Sequence, residues 1–317
     1  MVETCTSPII HQTSDVYQCT APRVGRRIRI VDRSHAAPTR QRTGSGPRGT
    51  DLPSPGDLAN EDARHWLAEH LPAHWHANSV TAIPGTMRRM NEDPWFGLAS
   101  PQEAGRRDAI GFFEDLRRAV ADVARVRGAQ DIAYIELHSA PRRVADAERM
   151  EESLRLLASW DWSGARLVIE HCDRYIDGQE PEKGFLRLDD EIALCKELGI
   201  GLTINWGRSA VEGRSARTAL EHVRRCADAD ALTGLMFSGA GPKETIYGYP
   251  WIDGHLPMNP DEPTSLMDAD AIAECMHAAN TQKRPIAYVG AKVCVPRDAT
   301  LDERVRYLSH IHEAVEQ

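Results

Sequence analysis

Short apolar runs alternate along this chain with longer amphipathic segments. Several of these runs end in polar residues that can carry chemistry: 132–139 (IAYIELHS), 167–173 (LVIEHCD), 202–208 (LTINWGR), 235–239 (LMFSG) and 286–292 (IAYVGAK). A strand buried on both faces of a parallel sheet is apolar along nearly its whole length. The runs therefore predict parallel strands. Their polar ends predict an enzyme whose active site lies at the carboxyl ends of those strands.

The segments between the runs have the periodicity of helices. We predict helices over 60–71, 101–127, 144–159, 189–198, 215–227, 268–280 and 300–316, and strands over 78–83, 132–138, 167–171, 200–206, 232–238 and 286–293. Ser100 is the predicted N-cap of the second helix, with Pro101 at its first position and Glu103 completing a capping box. Regular alternation of this kind indicates a parallel sheet wrapped by helices. Because no strand ends in G-x-G-x-x-G, a (β/α)8 TIM barrel is favoured over an open dinucleotide-binding sheet.

The first 57 residues differ in character from the rest of the chain. They are rich in Thr, Ser, Pro, Gly and Arg, and one strand is predicted there, at 27–31 (RIRIV). Residues 36–56 have almost no apolar side chains, so we expect a loop or disorder. The predicted organisation is a basic, partly disordered leader over 1–57 and a single (β/α) barrel domain over 58–317. A (β/α)8 barrel needs eight strands, and only seven are predicted from the sequence, so one strand near the start of the barrel is not accounted for.

Composition narrows the range of partners. The chain has 317 residues and a net charge of −9, with a basic leader that leaves the remainder more acidic still. An acidic body disfavours nucleic acid as the main ligand, and no apolar run approaches the ~18 residues of a membrane span. Seven cysteines without a CxxC pair fit a reduced compartment. We therefore expect a cytoplasmic protein with a small-molecule substrate and neither a nucleic-acid nor a membrane partner. The composition is compatible with a homo-oligomer.

The strand ends supply candidate catalytic residues. Glu136 and His138 lie on the same face of one strand, and Glu170 and His171 follow each other on the next. A carboxylate and an imidazole at neighbouring strand ends can act as a general acid/base pair or bind a divalent ion. The alternative is that the carboxylates only pair with nearby arginines. Lys292 is a candidate base or imine-forming amine, and a salt bridge to Glu136 or Glu170 explains it equally well.

A second group of residues fits substrate binding. Asn205 can hydrogen-bond a hydroxyl, Trp206 offers a flat face of the kind that sugars pack on, and Arg208 can bind an oxyanion. The alternative is a core tryptophan and an Arg208–Glu212 pair on one helical turn. Further candidates for substrate contact are His138, Asp173 and Ser238, although Asp173 can equally cap its own loop.

The long segment 251–265 (WIDGHLPMNPDEPTS) contains Asp253 and His255. Long loops at a barrel mouth are often lids that also contribute binding groups. We predict that these two residues bind a polar substrate, with an ordinary surface loop as the alternative.

The strings IELHSAP, VIEHCD with GQEPEKGF downstream, TINWGRSA, FSGA, DGHLP and GAKV resemble an uncharacterised bacterial TIM-barrel family of unknown function. That family is itself similar to the xylose-isomerase-like sugar isomerases and epimerases. The resemblance runs from about residue 57 to the C-terminus. It implies a (β/α)8 barrel and, by analogy, isomerisation or epimerisation of a carbohydrate.

The resemblance also implies a divalent metal, held by a carboxylate, an acidic residue, a histidine and a second carboxylate on the last four strands. Those strands end here in Glu170, Asn205, Ser238 and Lys292, and only Glu170 fits that ligand set. No cofactor is therefore firmly predicted, and Glu170 and His171 are the expected ligands if a metal binds.

We predict a sugar, sugar-acid or polyol isomerase or epimerase that transfers a proton next to a carbonyl. Glu170 is the expected base, with His171 or Lys292 as the polarising group. The alternatives are a lyase or aldolase that forms a Schiff base at Lys292, and a carbohydrate-binding barrel without turnover.

Overall fold

The computed structural model describes residues 47–317 and the backbone of residues 28–32. The strands in these residues form one sheet in the order β1-β8-β7-β6-β5-β4-β3-β2. They are β1 (Ile28–Asp32), β2 (Asp51–Pro53), β3 (Asn78–Thr81), β4 (Ile132–Leu137), β5 (Arg166–His171), β6 (Gly201–Asn205), β7 (Leu232–Phe237) and β8 (Tyr288–Val293). Strands β2 to β8 are parallel, and β1 pairs with β8 in the antiparallel direction. Strand β1 also lies beside β2, so the sheet curls into a barrel.

Helices surround the curled sheet. They are α1 (Glu61–His70), α2 (Ile83–Glu92), α3 (Glu103–Arg127), α4 (Ala147–Ala158), α5 (Leu188–Leu198), α6 (Trp206–Gly213), α7 (Ala216–Asp228), α8 (Ala269–Ala279) and α9 (Leu301–Glu316). Side chains of Asn60, Asp146 and Asp268 cap the starts of α1, α4 and α8, and Thr300 forms a capping box with Glu303 at α9. Within the described residues, no helix combines the length and apolar character needed to cross a bilayer.

The two faces of the sheet are buried in different ways. Along β5, Leu167 and Ile169 belong to the large apolar core between the sheet and the helices. Val168 points the other way and packs in a small cluster inside the barrel with Tyr134 and Tyr288, whose ring centroids are 4.6 Å apart. This cluster fills the barrel near the amino ends of the parallel strands. The interior residues nearer the carboxyl ends are polar, and in TIM barrels the side chains at the carboxyl ends form the active site.

The predicted barrel is confirmed, but its beginning differs from the prediction. Strand β2 lies at Asp51–Pro53, inside the segment 36–56 that was predicted to be a loop, and its residues are buried and pair with β3. The predicted boundary between leader and barrel, at residue 57, therefore lies after β2, which belongs to the barrel sheet. The strand was missed because it has only three residues and begins with Asp51, which faces the polar interior. The predicted strand at 27–31 is present as β1, and residues 33–46 lie outside the described residues.

Three local predictions were wrong. Helix α2 follows β3 directly at Ile83, where the sequence suggested the end of a strand, and α6 likewise begins at Trp206, directly after β6. Helix α3 begins at Glu103 rather than Pro101, and the expected capping box does not form. Instead, the Ser100 hydroxyl accepts a hydrogen bond from the backbone N–H of Gln102 at 3.2 Å.

Candidate active site

A group of charged side chains fills the barrel interior near the carboxyl ends of the parallel strands. We call it the inner cluster, and it consists of Asp51, Glu136, His138, Glu170, Arg208 and Lys292. All six are buried at 2% exposure or less, although charged residues are rarely buried unless they are paired. They come from β2, β4, β5 and β8, from the residue after β4, and from the first turn of α6. The structure thus brings together Glu136, His138, Glu170, Asn205, Arg208, Ser238 and Lys292 of the predicted site residues.

Glu170 lies at the centre of the inner cluster. Its carboxylate oxygens are contacted by Arg208 Nη1 at 2.6 Å, His138 Nε2 at 2.9 Å, Thr81 Oγ1 at 3.2 Å, Asn205 Nδ2 at 3.2 Å and Lys292 Nζ at 4.0 Å. Burial alone would raise the pKa of Glu170. The charges of Arg208 and Lys292 outweigh burial and hold this pKa well below its usual range. Glu170 is therefore ionised.

Glu136 has the opposite environment. Its Oε1 accepts a hydrogen bond from the Tyr288 hydroxyl at 3.2 Å, and its buried Oε2 has no hydrogen-bond partner among the described residues. Burial, together with the negative charges of Glu170 and Asp51, raises the pKa of Glu136 well above its usual range. The barrel interior thus contains one carboxyl held ionised and another that favours its protonated form.

Lys292 is held by a residue that the sequence did not suggest. Its Nζ lies 3.0 Å from Asp51 Oδ2, and Ser79 Oγ donates a hydrogen bond of 3.0 Å to Asp51 Oδ1. Asp51 was missed because it belongs to the short strand β2. Lys292 therefore lies between the carboxylates of Asp51 and Glu170.

Two loops cover the inner cluster. The first runs from Cys172 to Arg187 between β5 and α5, and the second from Ser238 to Asp268 between β7 and α8. Lys183 of the first loop places its Nζ 3.0 Å from Asp253 Oδ2 of the second, and Arg208 Nε is 3.2 Å from the same oxygen. Lys183, Asp253 and His255 are all buried. The two loops thus contact each other, and Asp253 of the second loop contacts Arg208 of the inner cluster.

The second loop carries backbone strain at two positions. Trp251 has a φ of 64° and His255 a φ of 51°, in the left-handed region that residues other than glycine seldom adopt. His255 is also fixed at its carbonyl, which accepts a hydrogen bond of 2.7 Å from the backbone N–H of Cys294. Such strain is commonly retained at ligand clamps and switch regions. The predicted lid residues Asp253 and His255 lie on this loop, and their contact with a substrate stays a prediction.

Three predicted site residues lie away from the inner cluster. His171 follows Glu170 on β5 and faces the helices, because successive residues of a strand point to opposite faces. Glu170 and His171 therefore cannot bind one ion together, which corrects the predicted ligand pair. Trp206 is buried in the apolar core, and Asp173 accepts hydrogen bonds from the backbone N–H of Lys183 at 3.0 and 3.1 Å. These two residues have the structural roles that were the alternatives.

His171 belongs to a second buried group, which we call the outer cluster: His171, Glu191, Glu212 and His222, between β5 and helices α5 to α7. His171 Nδ1 lies 2.6 Å from Glu191 Oε2, and its Nε2 lies 3.4 Å from Glu212 Oε2. His222 Nε2 lies 3.4 Å from the other oxygen of Glu212. Burial would lower the pKa of His171, but the carboxylates of Glu191 and Glu212 raise it to about 10.

Residues 39–307 match the family described as Domain of unknown function (DUF4862). The chain belongs to this family. The uncharacterized protein STM3670 of Salmonella typhimurium strain LT2 is 36% identical over 249 residues, which cover 77% of this chain and 78% of that relative.

Solved structures resemble the chain in fold. A D-tagatose 3-epimerase-like protein superposes with a TM-score of 0.54 and 12% identity, covering 86% of this chain and 90% of that one. A putative xylose isomerase from Rhodospirillum rubrum gives a TM-score of 0.51 and 11% identity, covering 85% and 88%. At such identities the likeness concerns the fold alone. The member of the DUF4862 family described here thus has the fold of the xylose isomerase-like TIM barrels.

The metal that this fold implies does not fit the inner cluster. Of the four strand-end positions, only Glu170 offers a strong ligand, since Asn205 and Ser238 are neutral and Lys292 is a cation. Arg208 and Lys292 place two positive groups within 4.0 Å of Glu170, where a metal would have to bind that carboxylate. In this barrel, protein cations neutralise the carboxylate instead.

Proposed function

We propose that the inner cluster transfers a proton next to the carbonyl of a sugar or sugar acid, so that the protein is an isomerase or epimerase that uses no metal in the barrel. The observation that carries the proposal is a pair of buried carboxyls in opposite environments. Glu170 contacts the Arg208 guanidinium and Glu136 only the Tyr288 hydroxyl, and their pKa values are shifted in opposite directions. Two titratable groups whose environments push their pKa values apart are suited to act as base and acid.

Four members of the cluster have a part in this proposal. Glu170 is the ionised group and accepts the proton from the carbon next to the carbonyl. This leaves an enediolate oxyanion, for which Lys292 and Arg208 supply positive charge in a dry site. Glu136 is the protonated group and donates a proton to the neighbouring carbon of the enediolate. Glu170 then releases its proton to water and Glu136 takes one up from water, which restores both groups for the next turnover.

Arg208 links the chemistry to the loops. Its guanidinium contacts both Glu170 and Asp253 of the second loop. The contact with Arg208 weakens Glu170 as a base. We infer that a substrate oxygen takes over Arg208 on binding, which frees Glu170 to accept a proton. A closed site also protects an enediolate from water and side reactions.

The position of Lys292 favours an isomerase over a Schiff-base lyase. An imine-forming lysine needs an amine free to attack a carbonyl, whereas Lys292 Nζ is in ionic contact with Asp51 at 3.0 Å and Glu170 at 4.0 Å. The enclosed site likewise supports a small substrate rather than a polymer.

Solvent exchange tests this proposal without knowledge of the product. Ketoses, aldoses and sugar acids are incubated with the protein in D2O, and deuterium uptake at the carbon next to the carbonyl is followed by NMR. We expect uptake for at least one substrate. Glu170→Gln and Glu136→Gln should each slow uptake by roughly 10²-fold or more, since each removes one proton-transfer group. Glu274→Gln, an exposed change on α8, is the matched control.

Two outcomes would contradict the proposal. Sugars that raise the melting temperature without any deuterium uptake indicate a carbohydrate-binding barrel. Inactivation by borohydride with a carbonyl substrate, abolished in Lys292→Met, indicates the lyase instead.

A further inference from the structure

The outer cluster lies outside the barrel interior, on the helix side of β5, and the proposed reaction makes no use of it. Its residues come from four elements: His171 from β5, Glu191 from α5, Glu212 from α6 and His222 from α7. All four are buried, at 5% exposure or less. Burying two carboxylates and two imidazoles in one place is costly unless a cation balances them.

The hydrogen bonds of the two histidines orient both rings in the same way. His171 Nδ1 faces Glu191 Oε2 at 2.6 Å, and His222 Nδ1 faces Ser209 Oγ at 3.0 Å. With each Nδ1 engaged, the remaining Nε2 atoms both point at the carboxylate of Glu212. Metal-binding histidines in proteins have this arrangement, because a partner on one ring nitrogen fixes the tautomer and directs the other nitrogen to the ion.

The distances leave space for an ion. Each Nε2 is 3.4 Å from a Glu212 oxygen, and the three ligand atoms lie within 4.8 Å of one another. Tetrahedral zinc with ligand bonds of about 2.0–2.1 Å separates its ligands by about 3.3 Å. The contacts are longer than good hydrogen bonds, and in the part of the chain that the structure describes the buried Nε2 of His171 has no hydrogen-bond partner.

We propose that His171, Glu212 and His222 bind a divalent transition-metal ion, with zinc as the best match to two imidazoles and one carboxylate. Three protein ligands leave a fourth position for water. The two carboxylates, Glu212 in contact with the ion and Glu191 behind His171, balance its charge.

Neighbouring groups support the ligands. Ser139 Oγ donates a hydrogen bond of 2.5 Å to the free oxygen of Glu191, which fixes the carboxylate behind His171. The backbone N–H of Arg174 donates to Glu212 Oε2 at 2.9 Å, and its side-chain Nε lies 3.3 Å from Oε1. Carboxylate ligands are commonly oriented by such outer contacts. The alternative to a bound ion is a protonated His171, whose positive charge then lies between the carboxylates of Glu191 and Glu212.

The position of this site connects it to the barrel. Helix α6 carries Arg208 into the inner cluster and Glu212 into the outer one, and β5 carries Glu170 and His171 in the same way. An ion at the outer cluster therefore fixes α6 and α7 against β5. It also holds Arg208 in place from the helix side of β5.

Metal titration tests the proposal directly. The full-length protein is stripped with a chelator and titrated with Zn²⁺, and bound metal is measured by elemental analysis after gel filtration. Co²⁺ is added in parallel, because its visible absorption reports tetrahedral coordination. We expect one equivalent of either ion and a tetrahedral Co²⁺ spectrum. His222→Gln and Glu212→Gln should weaken binding at least 10-fold, while His138→Gln, which alters the inner cluster, should leave it unchanged.

Three results would overturn the proposal: no stoichiometric binding to the wild-type protein, an octahedral Co²⁺ spectrum, or loss of binding in His138→Gln with retention in His222→Gln. The titration of the wild-type protein decides the matter even if a variant does not fold. It also stands apart from the proposed reaction, since metal content is measured without a substrate.

Discussion

Strand β5 and helix α6 each supply residues to both polar clusters, and the two clusters solve the same electrostatic problem differently. In the inner cluster, Glu170 has Arg208 and Lys292 within 4.0 Å. In the outer cluster, Glu212 has two imidazoles and, at its edge, the side chain of Arg174. Arg208 and Lys292 balance the charges of Glu170 and Asp51 in the inner cluster. In the outer cluster, Arg174 lies beside Glu212 only, so Glu191 and Glu212 together also need a proton or an ion from solution.

This difference has a functional meaning. Fixed guanidinium and ammonium groups are already in place when charge develops on a substrate, so the inner cluster is preorganised for catalysis. The outer cluster has ligand atoms but, among the described residues, no cation at its centre, which suits an ion bound from solution. The following predictions test whether the two clusters differ in this way.

The largest expected effect comes from removing a fixed cation. Arg208→Met leaves the carboxylates of Glu170 and Asp253 buried without this partner, and breaking a buried ion pair costs about 3–5 kcal/mol of folding stability. Urea unfolding at neutral pH measures the loss. The exposed pair of Arg217 with Glu221 provides the matched control, since Arg217→Met should change stability by about 0.5 kcal/mol or less. A wild-type unfolding curve for Arg208→Met would mean that the inner charges are not coupled as described.

The next effect concerns the outer cluster. Free Zn²⁺ at 100 times its dissociation constant should stabilise the folded protein by about 2.7 kcal/mol, because the ion binds the folded state. Comparing urea unfolding of chelator-treated and zinc-loaded protein measures this gain. Glu212→Gln should abolish the gain, whereas Glu274→Gln should keep it. Equal stabilisation of Glu212→Gln would place the ion elsewhere.

The smallest expected effect, taken over one pH unit, is a pH dependence due to Glu136. Its pKa is higher in the folded protein than in the unfolded chain, so the folded state holds the proton more tightly. This group therefore lowers stability as pH rises from the ordinary carboxyl range towards the folded pKa, by at most about 1.4 kcal/mol per pH unit. Glu136→Gln cannot ionise and escapes the penalty.

The stability of Glu136→Gln relative to wild type should consequently increase from pH 5 to pH 8, measured as the difference in urea midpoints. A constant difference across this range would show that Glu136 does not hold its proton in the folded protein.

Much of the barrel could be read from local patterns. The apolar runs predicted strands β3 to β8 to within a few residues, because a buried parallel strand has an apolar sequence in any context. Glu136 and His138 are two residues apart, and successive side chains of a strand alternate between its faces, so both were predicted to lie on the same face. The short strand β2 could not be found in this way, since its burial depends on pairing with β3 rather than on its own composition.

The sequence by itself determined the order of strands and helices and the set of polar residues at the strand ends, since both follow from periodicity over neighbouring residues. Only the tertiary structure decided which charges meet. Asp51 reaches Lys292 because the sheet curls, and His171 meets His222 because α7 packs on the outer face of β5. Contacts between residues far apart in the chain depend on sheet register and helix packing, which local patterns do not encode.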